Sequence, residues 1–502
     1  MIKTSENYNP FPVIRRVGFE VEFRIIDVNA KGNAQASASN SAEIGNPAQT
    51  LNGVRSARRF STLELNDMLL DGSMAIIPDD VSADEVGWWS DVISDENGVF
   101  TDPPSIRYDF TVNISSIGFT AFYAVPPKRV RITAFDANGA AIASQEFSET
   151  GDSHIYEMPV QKYRSVEFEF LETVLPYRRI RMTEITFGIV RIFGDTQLQS
   201  VSLSYGAGVA AESLASRQLI FRFDNSNHEY NLLNPEGLYA YLQEGQQIVA
   251  RGRIGDEMID MGAFRYTKAA SKDGTLTAEI SANDMVYALD RSEFTGGSAN
   301  TVTLQSAVAR LLDGIAIDCV YDGDVGGRLV KMGIPPSAKR REGVRMLAQA
   351  AMCSVWTNRD GALLFHPLDV SDVPDGQLTA SDLYNYDGIS VEQKTDAVEL
   401  DIKSDFEDGE EQIYIAGSGD NVKTVRNPCV AAVNAQAVAE WILAQINRRK
   451  RYNVQNRCDL AVEIGDTLKI ADAYGQNDNA TVIGIEIRYN GGLSATTRCI
   501  AR

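Results

Sequence analysis

Val166-Glu167-Phe168-Glu169-Phe170 places three apolar side chains on one side of an extended chain and two carboxylates on the other. Successive strand residues point to opposite faces, so this alternation describes a strand with one face in a core and the other in water. The reading extends outward from there. Residues 107–110, 118–123, 130–135, 154–158 and 181–187 also read as short strands, with turn signals such as Ala137-Asn138-Gly139 between them. Upstream, Phe19, Val21, Phe23 and Ile25 alternate with Glu20, Glu22 and Arg24. Strands at this spacing predict an antiparallel β-sandwich or jelly roll over residues 1–190, in which the polar stretch 29–52 is a surface loop.

The rest of the chain changes character. Residues 191–300 carry strand patterns at 219–223, 247–253, 258–266 and 275–282, which suit a small β-barrel. Residues 301–390 form an α/β connecting segment. Thr303 precedes a helical run containing Ala307, Leu311 and Leu312, and Val344, Leu347, Ala348 and Ala351 make a second helical stripe after Pro335-Pro336. A hairpin follows, 353–357 and 362–366, turning at Asn358-Arg359-Asp360-Gly361. Residues 391–502 return to strands, with one helix for which Asn434 is the expected N-cap and along which Val438, Trp441, Ile442 and Ile446 share a face. The fold class is therefore mainly β (a β-rich α+β chain): a sandwich, then two small barrel-like domains around an α/β segment.

Composition narrows the function. A chain of 502 residues with 44% hydrophobic content supports roughly three or four cored domains. Its net charge of −21 argues against a phosphate-binding surface, which needs clustered Lys and Arg. Acidity serves solubility, or equally a conduit past which DNA slides without sticking. Residues 1–12 lack the apolar core of a signal peptide, and no run approaches a membrane span. The five cysteines, Cys319, Cys353, Cys429, Cys458 and Cys499, show neither paired spacing nor an even count, so neither a zinc site nor a disulfide framework is signalled.

A catalytic constellation is not legible, and neither a cofactor nor a metal site is expected. His154, His228 and His366 stand apart from one another, without the i, i+4 pair and glutamate of a zinc hydrolase. Ala416-Gly417-Ser418-Gly419-Asp420 links strands and does not open a helix, so it reads as a hairpin loop. Asp79, Asp80, Asp84 and Glu85 cluster in sequence, but a glycosidase needs two carboxylates facing across a cleft. Asp322-Gly323-Asp324 and residues 405–411 miss the calcium-loop spacing. Arg448-Arg449-Lys450-Arg451 is a phosphate patch or, more simply, a set of cations ending a helix. Trp88-Trp89 has two readings. Either one indole fills the core while the other offers a flat face to a sugar ring, or both are buried, one in the sandwich and one beneath a neighbouring loop or domain.

Two resemblances cover most of the chain. Gly87-Trp88-Trp89-Ser90-Asp91, Asn97-Gly98-Val99-Phe100, Pro103-Pro104 and Pro176-Tyr177-Arg178-Arg179 through Ile185-Thr186-Phe187-Gly188 resemble a module of phage and prophage tail proteins from Gram-positive hosts. That module is similar to galactose-binding-like, discoidin-type jelly rolls. Residues 195–502 resemble the tail hub family, the baseplate hub and tail-associated proteins. The likeness rests on 219–227, Asn234-Pro235-Glu236-Gly237-Leu238-Tyr239, Gly245-Gln246, Asn358-Arg359-Asp360-Gly361 and the stretch from Val438 to Glu463-Ile464-Gly465-Asp466.

The resemblance implies a homotrimer with two barrel-like domains per subunit, making a pseudo-sixfold ring that closes the tail tube. Its implied partners are the tube or distal tail protein, spike or fibre proteins and the tape measure protein, with DNA passing the lumen without specific binding. It further implies a virion component assembled in the host cytoplasm, without a membrane partner. Because the last strand runs to the end of the chain, cell-wall-degrading activity is expected to belong to another protein. In modules of this type the stretch 46–53 holds a binding loop, which makes Asn46, Asn52, Trp88 and Trp89 the candidate contacts to a host-surface glycan or a neighbouring protein. The competing expectation is a carbohydrate-binding protein or an accessory module of a glycan-degrading system, which accounts for the first domain only.

Overall fold

The computed structural model describes residues 1–12, 14–52, 59–60, 64, 68, 71–72, 74–75, 86–148, 151, 153–234, 237–271, 275–384, 388–408, 412–471 and 477–501. Asp79, Asp80, Asp84 and Glu85 lie outside these residues, as do Gly53, Pro235, Glu236 and the end of the 405–411 loop. The chain is mainly β and divides into two compact units. A sandwich unit comprises Glu22–Ile192 and His228–Gln247; a larger unit comprises Met1–Val21, Phe193–Asn227 and Ile248–Arg502.

The sandwich is organised by two strands of 21 residues each, Ser105–Val125 and Ser153–Thr173. The sequence reads each of them as two shorter strands. They are continuous because register shifts between Asp109 and Gly118 absorb extra residues without ending the pairing, and such bulges bend a strand. One end of Ser105–Val125 pairs with Ala34–Ala38 and the other with Arg181–Thr186, so a single bent strand pair carries further strands at both ends of a sheet of seven described strands. Val166, Phe168 and Phe170 are fully buried, and Glu167 and Glu169 stay half-buried on the opposite face. The aromatic core packs edge-on, with Phe119 against Phe168 at 5.5 Å and Phe110 against Phe187 at 4.9 Å. The stretch 29–52 is not simply a loop. It contains the strand Ala34–Ala38, whose alternate alanines lean on the core, and the 3-10 turn Pro47–Leu51.

In the larger unit one sheet runs through Glu257–Ser271, Thr277–Asn283, Gln218–Asp224, Leu198–Gly206, Asn477–Tyr489, Leu493–Ala501, Lys450–Asn456 and Ile389–Val391. A separate core holds the helices Leu304–Leu311, Arg340–Ala350 and Ala435–Ile446 against the hairpin Ser354–Thr357/Leu363–His366 and the sheet containing Ala397–Asp401. Thr303 caps the first helix through the Ser306 amide. Two expectations change here. Asn434 occupies the N-cap position, but its side chain donates to the Leu329 carbonyl and leaves the helix uncapped. The cations 448–451 do not close the helix electrostatically. Arg448 donates to the Leu368 and Ile500 carbonyls, while Lys450 opens the strand Lys450–Asn456 and pairs with Asp478.

Candidate functional site

The strand Trp88–Trp89 lies beside Arg181–Thr186, and its geometry decides between the two readings of the tryptophans. Trp88 is fully buried in the sandwich core, 5.6 Å from Phe170, with its indole N–H on the Asn40 carbonyl (3.0 Å) and the Ser41 hydroxyl (3.1 Å). Trp89, 2% exposed, packs with Val86, Ala42 and Ile44 and donates to the Val86 carbonyl at 3.1 Å. Neither indole offers a face to a sugar. The 46–52 stretch is stitched to this strand, while Asn46 and Asn52 themselves are exposed. Ala42 N–H donates to Trp89 O, Asn46 N–H donates to Gly87 O, and the Gln49 amide oxygen accepts from Val86 and Gly87. Gly87 has φ +78° and a Cβ there would lie 2.3 Å from the Met182 carbonyl, which fixes glycine at the crossing. Asn46 caps the turn Pro47–Leu51 through Ala48, and Asn52 ends it.

Beneath Trp89 sits a charged pair that sequence reasoning missed. The Arg181 guanidinium lies 4.2 Å from the Trp89 ring and 2.8 Å from Glu64, their side chains 4% and 1% exposed. Arg179 reaches Glu64 at 3.4 Å and the Ser90 carbonyl at 2.8 Å. The one available signal was Arg181 itself, a cation between the apolar residues Ile180 and Met182. The segments beside it expose the apolar residues Ile93, Val174, Leu175 and Tyr177, the last with φ +55°, among charged ones such as Asp91 and Glu96.

In the larger unit a cleft of about 640 Å³ is lined by Glu257, Asp260, Asp360, Asp375, Glu463 and Asp466, with Trp356 among its walls. Arg359, at the hairpin turn, is ion-paired with Glu463 and donates to the Asp260, Leu460 and Val462 carbonyls. It thereby laces the hairpin to the 460–463 loop. The Asp466 carboxyl is pushed up by burial, despite the chain's terminal ammonium beside it. The histidines remain separate. His154 packs on Tyr156 at 4.5 Å with its pKa lowered by burial, His366 meets Asp322 at 3.2 Å, and His228 sits in a turn with φ +59°. Among the described residues no three of His, Cys, Asp and Glu are placed to hold a metal ion, and no helix is long and apolar enough to cross a membrane. Cys353, Cys429 and Cys458 are buried thiols, each pushed up to about 12 by desolvation.

The fold defines a class: a mainly β chain that joins a jelly-roll module to a larger sheet-and-helix unit. No family model and no curated protein matches the sequence. Among solved structures the chain is similar to a tail protein from Neisseria meningitidis MC58, at 13% identity and TM-score 0.46, covering 60% of this chain and 92% of that one. It is likewise similar to a 43 kDa tail protein of prophage MuSo2 from Shewanella oneidensis, at 12% identity and TM-score 0.45, over 62% and 96% of the two chains. A fucose binding module of Streptococcus pneumoniae matches 33% of this chain and 94% of its own length, at 11% identity and TM-score 0.21.

Proposed function

We propose that this chain is a structural, non-enzymatic component of a phage or phage-like tail tip, a hub that closes the tail tube and joins it to spike or fibre proteins. The observation that carries the reading is the junction inside the larger unit. Leu198–Gly206 pairs antiparallel with Asn477–Tyr489, Leu203 lying across from Ile487. On one side the sheet continues into Gln218–Asp224 and Thr277–Asn283, on the other into Leu493–Ala501 and Lys450–Asn456. The sheet thus runs on from both edges of this pair within one chain, and we take the strands on either side as the two barrel-like halves of the subunit. Two like halves per subunit are what three copies need to match a sixfold tube. The acidic balance of −21 suits a lumen that passes DNA without holding it. The jelly-roll module supplies contact to a neighbouring tail protein or a host glycan, through its surface and not through Trp88 and Trp89.

Electron microscopy of assembled particles carrying a labelled copy tests the reading. Label at the tail tip, in three copies per particle, is expected. Label on the capsid, or no label on particles at all, overturns it.

A further inference from the structure

The jelly roll leaves one long strand edge open. Ala141–Ser148 pairs with Pro127–Phe135 on one side, and among the described residues no backbone hydrogen bond is made on its other side. After a shift at the turn end the strand is regular from 143 to 148. Ala143 and Phe147 lean on the core; Ser144, Gln145, Glu146 and Ser148 are exposed. Folded proteins blunt such edges with proline, lysine, inward charges or very short strands. This one has eight residues, no proline, no lysine and a single charge, Glu146, already paired with Arg131 at 2.7 Å. A row of free N–H and C=O groups of this length is a template for another extended strand.

We propose that Ala141–Ser148 pairs antiparallel with the same strand of a second copy, continuing the sheet from one jelly roll into the other. The residue pattern is self-complementary. With Gln145 across from Gln145, Ala143 faces Phe147 and Ser144 faces Glu146, so small meets large and hydroxyl meets carboxylate. With Ser144 across from Ser144, Ala143 faces Gln145. In neither register do two Glu146 side chains oppose each other, a placement that would disfavour pairing.

Cysteine cross-linking of the full chain tests this. Directly opposed antiparallel residues lie roughly 4.5–5.5 Å apart between Cα atoms, within disulfide range. Ser144→Cys and Gln145→Cys mark the two registers, and Asn138→Cys, exposed in the adjoining turn, controls for random collision. Mild oxidation is expected to give about tenfold more covalent dimer from one of the two strand variants than from the control. The double variant Ser144→Glu/Gln145→Glu, which opposes like charges at the centre of either register and, in the Gln145-centred one, also opposes Glu146, is expected to remove the corresponding species in sedimentation velocity while leaving the melting profile intact. Cross-linking of both strand variants at the control level overturns the proposal, whether the edge is then free or filled by a different chain. An unchanged sedimentation profile in the double glutamate variant overturns it equally.

Discussion

Substituting Glu64→Gln removes the carboxylate that the Arg181 guanidinium, 4% exposed, meets at 2.8 Å beneath Trp89. Breaking a buried ion pair from one side costs about 3–5 kcal/mol, because the remaining charge stays desolvated. Two features place this site at the lower end. Glutamine keeps an acceptor for one guanidinium N–H, and the Trp89 ring 4.2 Å away retains a cation–π attraction of about 1–2 kcal/mol. The expected loss is therefore about 3 kcal/mol. For a unit of this size that corresponds to a fall of about 6–12 °C in Tm.

The assay is thermal unfolding of the full chain, followed by tryptophan emission. Two of the four tryptophans, Trp88 and Trp89, are in the sandwich unit, and both are buried. Replacing both charges, as Glu64→Met with Arg181→Met, removes both members of the buried pair and is expected to recover part of the loss, Arg179 still losing its contact with Glu64. A Glu64→Gln variant that melts within about 2 °C of wild type would refute the reasoning, since the pair would then be solvated and not structural. So would a double variant no more stable than the single one.

Three further outcomes follow from the same geometry. Gly87→Ala is expected to cost about 2 kcal/mol or more, since its Cβ meets the Met182 carbonyl, while Gly139→Ala, at a similar φ of +80° with open space around it, is expected to cost about 1 kcal/mol; denaturant midpoints compare them. Glu407 is held below the ordinary carboxylate range chiefly by the hydrogen bond from Lys331, so its stabilising contribution is full above pH 4.5 and fades as pH falls through the lower folded value. Glu407→Gln is expected to cost about 2 kcal/mol at pH 7 and to flatten the acid limb of a stability–pH curve. Asp459 has the opposite sign. Burial raises its pKa, so its charged form opposes folding as pH rises through that raised value. Asp459→Asn, which keeps the acceptor for Tyr8 (2.7 Å), is expected to be at least as stable as wild type at pH 7, as urea unfolding measures.

Much of the fold was legible because period-two alternation reports burial directly. Val166, Phe168 and Phe170 go inward, and the hairpin around Asn358-Arg359-Asp360-Gly361 forms where the turn residues place it. Alternation does not report continuity. Ser105–Val125 passes unbroken through Thr111, Val112 and Asn113, all exposed, because bulges carry the pairing across them. It does not report partners either. The pairing of residues 198–206 with 477–489 joins segments almost three hundred positions apart, and nothing local announces it. At the tryptophans the period was right, and of the two readings open the one with both indoles buried is the one the structure shows. The two indoles do point to opposite faces, but the 42–51 loop covers the second face and seals it with backbone hydrogen bonds. A loop's ability to cover an aromatic depends on tertiary placement, which residue type alone does not carry.

With both indoles buried, the open strand edge is the module's proposed contact surface. Strand pairing between identical edges is isologous, so it joins copies two at a time. A hub ring takes three. One trimer whose jelly rolls paired internally would leave an edge unmatched, so within the proposed architecture the pairing must join one ring to another or precede ring formation. Either way, the free protein is expected to populate even-numbered species that the Ser144→Glu/Gln145→Glu variant lacks, while the proposed trimer, formed through a different surface, is expected to survive the substitution. Sedimentation velocity separates the two interfaces. Loss of the trimer together with the even-numbered species would mean that one surface serves both, and the proposed division between a ring-forming unit and a separately pairing module would fail.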